Sequence, residues 1–233
     1  MLDIQDFSIV LAARDHNPTM INPDFLRGSG VIPGDWELAR PPVMSSQAVQ
    51  IIFKNGIKIE AQPGSINFSQ GIDTDSFKNI ELPSLARRYA VTLPNLAYGG
   101  VGINPRRFVT FGDRTEQAHQ YITETILARG SWQNFGTAPM QAGINLVYTL
   151  ERCQLRIGIS EARLQIPDRE AIPAILFAGN FHYELTGESA EERLKHLHQA
   201  LDNWQSDFAT YQELIDGKFL AGSKGDSGSI LSA

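Results

Sequence analysis

Cysteine is almost absent from this sequence, since Cys153 is the single one among 233 residues. An intrachain disulfide is therefore excluded, and a disulfide-held fold of an oxidising compartment is not indicated. Long hydrophobic runs are missing too, because no apolar stretch approaches the roughly 20 residues that cross a bilayer. Asp3 and Asp6 stand where a signal peptide carries basic residues. These absences predict a cytoplasmic protein with no membrane association.

Basic residues are in the minority, with 20 Lys and Arg against 26 Asp and Glu and a net charge of -6. An acidic surface repels a phosphate backbone, so nucleic-acid binding is disfavoured. The five histidines show no metal-ligand spacing with Cys153 or with one another. No metal and no cofactor are therefore expected.

Nucleotide-binding glycine motifs are missing as well. The run Gly99-Gly100-Val101-Gly102 matches neither the P-loop nor the dinucleotide-binding pattern. We interpret these glycines as marks of a β-bulge or of a close contact between a helix and the sheet.

The composition that is present, 42% hydrophobic and 20% charged, is typical of a globular protein. Alternating apolar residues predict a first strand over residues 4–14, and residues 15–46 form a long irregular segment rich in Pro, Gly and Asn. Alternation resumes over 49–62 around Asn55-Gly56, which predicts a β-hairpin with a two-residue type I′ turn. A third strand, a helix over 80–93 and a strand over 97–111 follow.

The second half repeats this order of elements. A helix over 114–128 leads to a hairpin over 144–159, a strand over 175–185 and a last helix that Ser189 opens with a capping box to Glu192. We predict an α+β protein of two similar modules, each with antiparallel strands and helices packed on one face. Two separate sheets and one continuous sheet both fit. The predicted modules are residues 1–112 and 113–216, and a Gly- and Ser-rich stretch over 217–233 is predicted to be a flexible tail.

The last helix carries a sustained apolar seam with spacings of 3 and 4 residues. Packing across the protein's own sheet and binding of a protein partner both fit such a seam. The candidate partner-binding residues are Leu194, Leu197, Leu201, Trp204, Phe208 and Tyr211.

Polar groups at two other places are candidates for small-molecule chemistry. His182 and Glu184 lie two residues apart on a predicted strand and share one face, as a general acid–base pair in a cleft would. The favoured explanation is the wet face of an antiparallel sheet, and the acid–base pair is the alternative. Two arginine pairs are candidates for binding an anion, although such pairs are usually surface charges: Arg87, Arg88, Arg106 and Arg107.

Parts of the sequence resemble bacterial families of unknown function. The run Asp35-Trp36-Glu37-Leu38, then Pro41-Pro42, 50–56 and 61–63, resembles uncharacterised bacterial proteins of this length, of a cyanobacterial type. The C-terminal half, with a hairpin, a strand and a helix carrying Leu-x-x-Leu-His, resembles a second, sporadically distributed bacterial family, although residues 180–184 lack the acidic strand of that family. The resemblance implies a bacterial protein of unknown role and supplies no catalytic residue.

Two functions are therefore predicted from different classes. The leading prediction is a non-enzymatic protein-binding or assembly component that self-associates as a homo-oligomer or joins a complex. The sequence shows no assembled catalytic set, it has a long amphipathic last helix, and sheet edges must be paired or covered. The alternative is an enzyme acting on a small polar or anionic metabolite, in a cleft near His182 and Glu184 that Arg106 and Arg107 also line.

Overall fold

The computed structural model describes residues 3–72, 80–111, 116–165 and 170–221. It confirms the α+β class and resolves the open alternative, because nine antiparallel strands form one continuous sheet in the order β2-β3-β4-β5-β1-β6-β9-β8-β7. The strands are β1 (Asp3–Ala13), β2 (Val43–Met44), β3 (Val49–Ile52), β4 (Lys58–Gln62), β5 (Ser65–Ile72), β6 (Tyr98–Thr110), β7 (Gly143–Thr149), β8 (Gln154–Leu164) and β9 (Ile172–Glu184). The helices are α1 (Pro23–Gly28), α2 (Leu82–Thr92), α3 (Gln117–Gln120), α4 (Ala190–Asp202) and α5 (Trp204–Leu214). Short π-helical turns follow α3 over Tyr121–Ile126 and α5 over Ile215–Phe219.

Each half of the chain consists of a central strand, a three-stranded meander and a helix. In the first half β1 precedes β3, β4, β5 and α2, and in the second half β6 precedes β7, β8, β9 and α4. The central strands pair antiparallel in the middle of the sheet, with Ile9 opposite Ile103. The strand over 97–111, predicted as the end of the first module, thus begins the second repeat of elements. It pairs with β1 on one side and with β9 on the other.

One face of the sheet carries the core. Phe7, Phe68 and Phe177 are fully buried on this face, and the helices pack against them. The ring of Phe68 lies 5.8 Å from that of Tyr89 in α2, and the Tyr211 hydroxyl in α5 donates to the carbonyl of Phe177 at 2.8 Å. Burial of these large rings supplies much of the apolar area that holds helices and sheet together.

The hairpin at Asn55-Gly56 forms, but its turn differs from the prediction. Ile52 pairs with Lys58, and the amide of Phe53 donates to the carbonyl of Ile57 at 2.9 Å, so three residues form the loop instead of two. Gly56 has a φ of 84° and donates to the Phe53 carbonyl at 3.1 Å. This is the geometry of a type I turn followed by a left-handed residue, which uses Asn-Gly as readily as type I′ does.

Two segments predicted to be irregular pack against the fold. Within 15–46 the chain forms α1 and β2, and Ile21, Leu26 and Val31 are fully buried. At the other end, Phe219 and Leu220 pack on the core and are not part of a flexible tail, because Leu220 is buried and the ring of Phe219 lies 5.8 Å from that of Phe177. Residues 222–233 of the predicted tail lie outside the described residues.

The last helix is two helices. α4 ends at Asp202, and α5 begins at Trp204 after Asn203. The capping box of Ser189 and Glu192 is present at the start of α4, as predicted.

Candidate functional site

The apolar seam of the last helices faces the protein's own sheet. Leu197, Leu201, Phe208 and Tyr211 are buried, while Leu194 and Trp204 are half-buried against the same core. The indole of Trp204 lies 5.8 Å from the ring of Phe7 in β1. Of the two alternatives for this seam, these contacts favour packing across the protein's own sheet over partner binding.

The four candidate arginines do not converge on one anion site. Arg106 and Arg107 point to opposite faces of β6, because side chains alternate along a strand. Arg107 is paired with Asp216 at 2.9 Å on the helix-covered face, and Arg87 in α2 is paired with Asp202 at 2.5 Å. Arg88 donates to the backbone carbonyl of Val31 at 2.7 Å. Three of the four guanidinium groups are thus used within the fold, and Arg106 is exposed on the open face.

His182 and Glu184 share the open face of the sheet, as predicted, but the structure separates their surroundings. His182 lines a shallow trough of about 320 Å³ in the centre of that face, and Glu184 is not among its lining residues. The other lining residues are Ser8, Val10, Ala12, Asn67, Gly100, Val101, Gly102, Asn104, Arg106 and Asn180. The trough therefore holds one titratable imidazole and one guanidinium among neutral polar groups.

Side-chain amides form a short hydrogen-bonded row across three strands in this trough. The Nδ2 of Asn180 in β9 donates to the Oδ1 of Asn104 in β6 at 2.5 Å, and the Nδ2 of Asn104 donates to the hydroxyl of Ser8 in β1 at 3.5 Å. A Cβ at Gly102 would lie 3.1 Å from the Asn180 amide nitrogen, so glycine is what lets this amide lie over β6. The Oδ1 of Asn67 is shielded from solvent and accepts no hydrogen bond from the described residues.

The predicted roles of the glycines are partly confirmed. Ala12 pairs with Gly100 and Ala13 with Tyr98, which leaves Gly99 as the extra residue of a β-bulge. Gly100 and Gly102 instead form the floor of the trough on the open face, so they do not mark a contact between a helix and the sheet.

A buried ion pair that the sequence analysis did not identify lies under α5. Asp207 is fully buried and accepts hydrogen bonds from Nε and Nη2 of Arg152, at 2.9 and 2.6 Å, and from the hydroxyl of Tyr183 at 2.7 Å. Burial raises the pKa of Asp207, and these hydrogen bonds oppose that rise. Burial also raises the pKa of the neighbouring Cys153 thiol, which keeps it in its less reactive protonated form at neutral pH. A signal was present in the sequence, because Asp207 lies three residues from Trp204 and four from Tyr211, on the apolar side of the helix.

A second group outside the sequence predictions is the pair formed by His119 and Glu161. Their Nδ1 and Oε1 atoms are 2.8 Å apart, and both residues line an open cavity of about 760 Å³ between α3, the end of β8 and the segment 129–141. Thr123 and Gln133 also line it, but the Thr123 hydroxyl donates to the His119 carbonyl and the Gln133 amide to the Thr123 carbonyl. The polar groups of this cavity are thus largely hydrogen-bonded to one another. The described residues contain no group of three or more side chains placed to hold a metal ion.

The two edges of the sheet are very different. β2 is a two-residue strand that follows Pro41 and Pro42, which is a common way to protect an edge from pairing. β7 is seven residues long and contains neither proline nor a charged side chain. In the described part of the chain, no strand pairs with the outer side of β7.

The hydrogen-bonding pattern shows which backbone groups of β7 point outward. The amide of Leu150 donates to the carbonyl of Cys153 at 2.9 Å across the two-residue turn to β8. Because hydrogen-bonded pairs alternate in an antiparallel ladder, the backbone groups of every second residue point away from β8. The outward-directed residues of β7 are Gly143, Asn145, Val147 and Thr149. The Val147 side chain is 61% exposed.

No family model matches this chain, and no curated protein is significantly similar to it. None of the helices in the described ranges is long and apolar enough to span a membrane.

Proposed function

We propose that this protein is a non-enzymatic binding component that joins other polypeptide chains by β-strand pairing at the β7 edge. The single observation that carries this proposal is the contrast between the two sheet edges. The β2 edge is short and flanked by prolines, whereas β7 offers seven uncharged residues with outward-directed backbone donors and acceptors. Main-chain hydrogen bonds supply the affinity when an added strand extends a sheet, and alternate side chains supply the specificity.

The side chains of β7 support the same proposal. Ile144, Leu146 and Tyr148 are half-buried on the helix-covered side and border the core. A strand added beside β7 would cover their remaining apolar surface, and this burial adds to the main-chain hydrogen bonds. An exposed edge of this kind is a liability in a protein that does not use it.

The test compares one substitution at two equally exposed edge positions. Val147 in β7 is 61% exposed and Val43 in β2 is 58% exposed, so a lysine at either position costs the fold little. We expect Val147→Lys to weaken self-association or partner binding at least tenfold, because a charge on an edge strand opposes pairing. Val43→Lys is expected to leave it unchanged.

The measurement is size-exclusion chromatography with light scattering, on the protein alone and mixed with its source-cell extract. For every complex that the wild-type chain forms, Val43→Lys should form it equally well and Val147→Lys should form less of it. If both variants assemble like the wild type, or if the wild type forms no complex at all, the proposal is overturned.

The trough on the open face supports a second candidate, the binding of a small polar ligand. The Oδ1 of Asn67 accepts no hydrogen bond from the described residues, and neutral amides of Asn104 and Asn180 dominate the polar lining. Carboxamides both donate and accept hydrogen bonds, so they suit an uncharged ligand rich in hydroxyl or amide groups. In this second candidate function, His182 from the sequence prediction helps to bind a ligand and has no catalytic role.

A single added methyl group tests the trough. In Gly102→Ala the new Cβ would lie 3.1 Å from the Asn180 amide nitrogen, which has to move. We expect this variant to lose at least tenfold in affinity for whichever neutral sugar, nucleobase or amide binds the wild type in ligand-detected NMR. Gly71→Ala is the control, because it lies in β5 and a Cβ there would meet nothing within 4 Å. Binding that survives in Gly102→Ala, or the absence of any binder, would exclude the trough.

A further inference from the structure

We infer that the strand that pairs with β7 is β7 of a second copy of this chain, in one particular register. This inference rests on the proposed function and names its partner. A two-fold axis perpendicular to the sheet passes midway between Leu146 and its symmetry mate, so that Leu146 lies opposite its own counterpart. The two nine-stranded sheets then form one continuous antiparallel sheet.

The backbone selects this register. The outward-directed residues Gly143, Asn145, Val147 and Thr149 must lie opposite outward-directed residues of the partner strand to form hydrogen-bonded pairs. With Leu146 on the axis, Gly143 faces the partner's Thr149 and Asn145 faces the partner's Val147. All four residues then form such pairs, with about eight hydrogen bonds between the strands. If the axis lay beside residue 145 or 147 instead of Leu146, only three of the four hydrogen-bonded pairs between the two strands would form.

The side chains agree with this register. On the helix-covered side, Ile144 faces the partner's Tyr148, and Leu146 faces the partner's Leu146. Each of these apolar side chains is half-buried in one chain and would be covered by the other. On the open side, the pairs consist of Asn145 with Val147 and of Gly143 with Thr149. Since β7 has no charged residue, no like charges meet across the axis, and a foreign strand carrying acidic or basic side chains would find no charged partner on β7 itself.

The symmetry also keeps the two faces of the sheet distinct. A two-fold axis perpendicular to the sheet places both sets of helices on one side and both open faces on the other. Each chain contributes the seven residues of β7, which is fewer than the roughly 20–30 residues per side of a standard stable interface. We therefore expect a dimer that dissociates on dilution.

Cysteine cross-linking tests the register directly. In a Cys153→Ala background, Leu146→Cys places two thiols on the axis, in a pair whose Cα atoms are about 4.5 Å apart, within the range that a disulfide bridges. Asn145→Cys is the matched control, because its counterpart is displaced by two residues and the Cα distance exceeds the limit of about 7 Å. Under mild oxidation, Leu146→Cys should give a covalent dimer and Asn145→Cys should give none, with both folds checked by circular dichroism.

One proline substitution at each edge of the sheet gives an independent measurement of dimer stability. The amide of Val147 points outward, so Val147→Pro removes a donor that the monomer does not use, and the dimer should dissociate at least tenfold more readily in sedimentation equilibrium. Met44→Pro is the equivalent change at the β2 edge, where the hydrogen bond from Ser45 to Ala48 turns the Met44 amide outward, and it should leave the dimer intact.

The outcomes separate this inference from the proposed function. If the wild-type chain is monomeric at high concentration, or if Asn145→Cys cross-links as well as Leu146→Cys, the self-pairing inference is wrong. The proposed function survives that result when Val147→Lys still abolishes binding of another protein. If the wild type binds nothing at β7, both fail.

Discussion

Replacement of Arg152 by leucine is expected to lower the free energy of unfolding by about 3–5 kcal/mol at pH 7. Arg152 supplies two hydrogen bonds to the fully buried carboxylate of Asp207, and Tyr183 supplies the third. Removal of the guanidinium leaves a buried negative charge with a single donor. The cost of an uncompensated charge in the core greatly exceeds that of losing an exposed ion pair.

The same variant should become more dependent on pH. Burial already raises the pKa of Asp207, and Arg152 opposes this rise. Without Arg152 the folded-state pKa rises further, so the folded chain holds the proton more tightly than the unfolded chain does. The folded state is then favoured below the ordinary carboxyl pKa of about 3.9 and loses stability as the pH rises through the elevated folded-state pKa. The loss in free energy of unfolding caused by Arg152→Leu should therefore be smaller at pH 4 than at pH 7.

Urea denaturation of three variants at both pH values measures these effects. Arg156→Leu is the control, because Arg156 is an exposed arginine in β8, four residues after Arg152, and it should change stability by less than about 0.5 kcal/mol. Adding Asp207→Asn to Arg152→Leu removes the buried charge and should restore part of the loss. A single variant Arg152→Leu as stable as Arg156→Leu would mean that Asp207 is not held as an ion pair.

Gly179→Ala is expected to destabilise the protein by about 2–3 kcal/mol through overpacking. A Cβ at Gly179 in β9 would lie 2.8 Å from Cδ2 of Tyr211 and 3.0 Å from Cγ of Pro105. Tyr211 is held in place, because it is 2% exposed and its hydroxyl donates to the Phe177 carbonyl. The ring therefore has little room to retreat, and α5 must shift away from the sheet.

Gly158→Ala in the neighbouring strand is the matched control. The nearest atom to a Cβ at Gly158 is 3.6 Å away, which is an ordinary contact. Thermal unfolding followed by circular dichroism should show a large drop in Tm for Gly179→Ala and a small change for Gly158→Ala. Equal changes in Tm would contradict the close packing of Tyr211 on β9.

The strands and helices of this fold could be predicted from the sequence, because burial of one face gives the apolar residues a regular spacing. Phe7, Ile9 and Leu11 recur at the period of a strand, and Leu82, Leu85 and Tyr89 recur at that of a helix. The order of strands in the sheet could not be read in this way. The pairing of β1 with β6 joins segments about ninety residues apart, and no local pattern encodes that neighbour.

The ion-pair partners of the charged residues could not be predicted from the sequence either. Arg87 and Arg107 look alike in the sequence, yet one pairs with Asp202 and the other with Asp216 on different elements. Asp207 belongs to a seam that the sequence analysis interpreted as purely apolar. A charged residue at a core position carries a local signal, but its partner Arg152 comes from a turn about fifty residues earlier.

The central placement of β1 has a consequence for how the protein emerges from the ribosome. While the second half of the nascent chain is still being synthesised, β1 can pair with β5, but its other side has no neighbour until β6 is made. During that interval the growing polypeptide exposes an unfinished strand, and the core side of Phe7 is not yet covered by Trp204 and Phe208 of α5. Such a half-made sheet is a natural substrate for chaperones, and synonymous changes that slow translation between β5 and β6 should increase its aggregation in the cell.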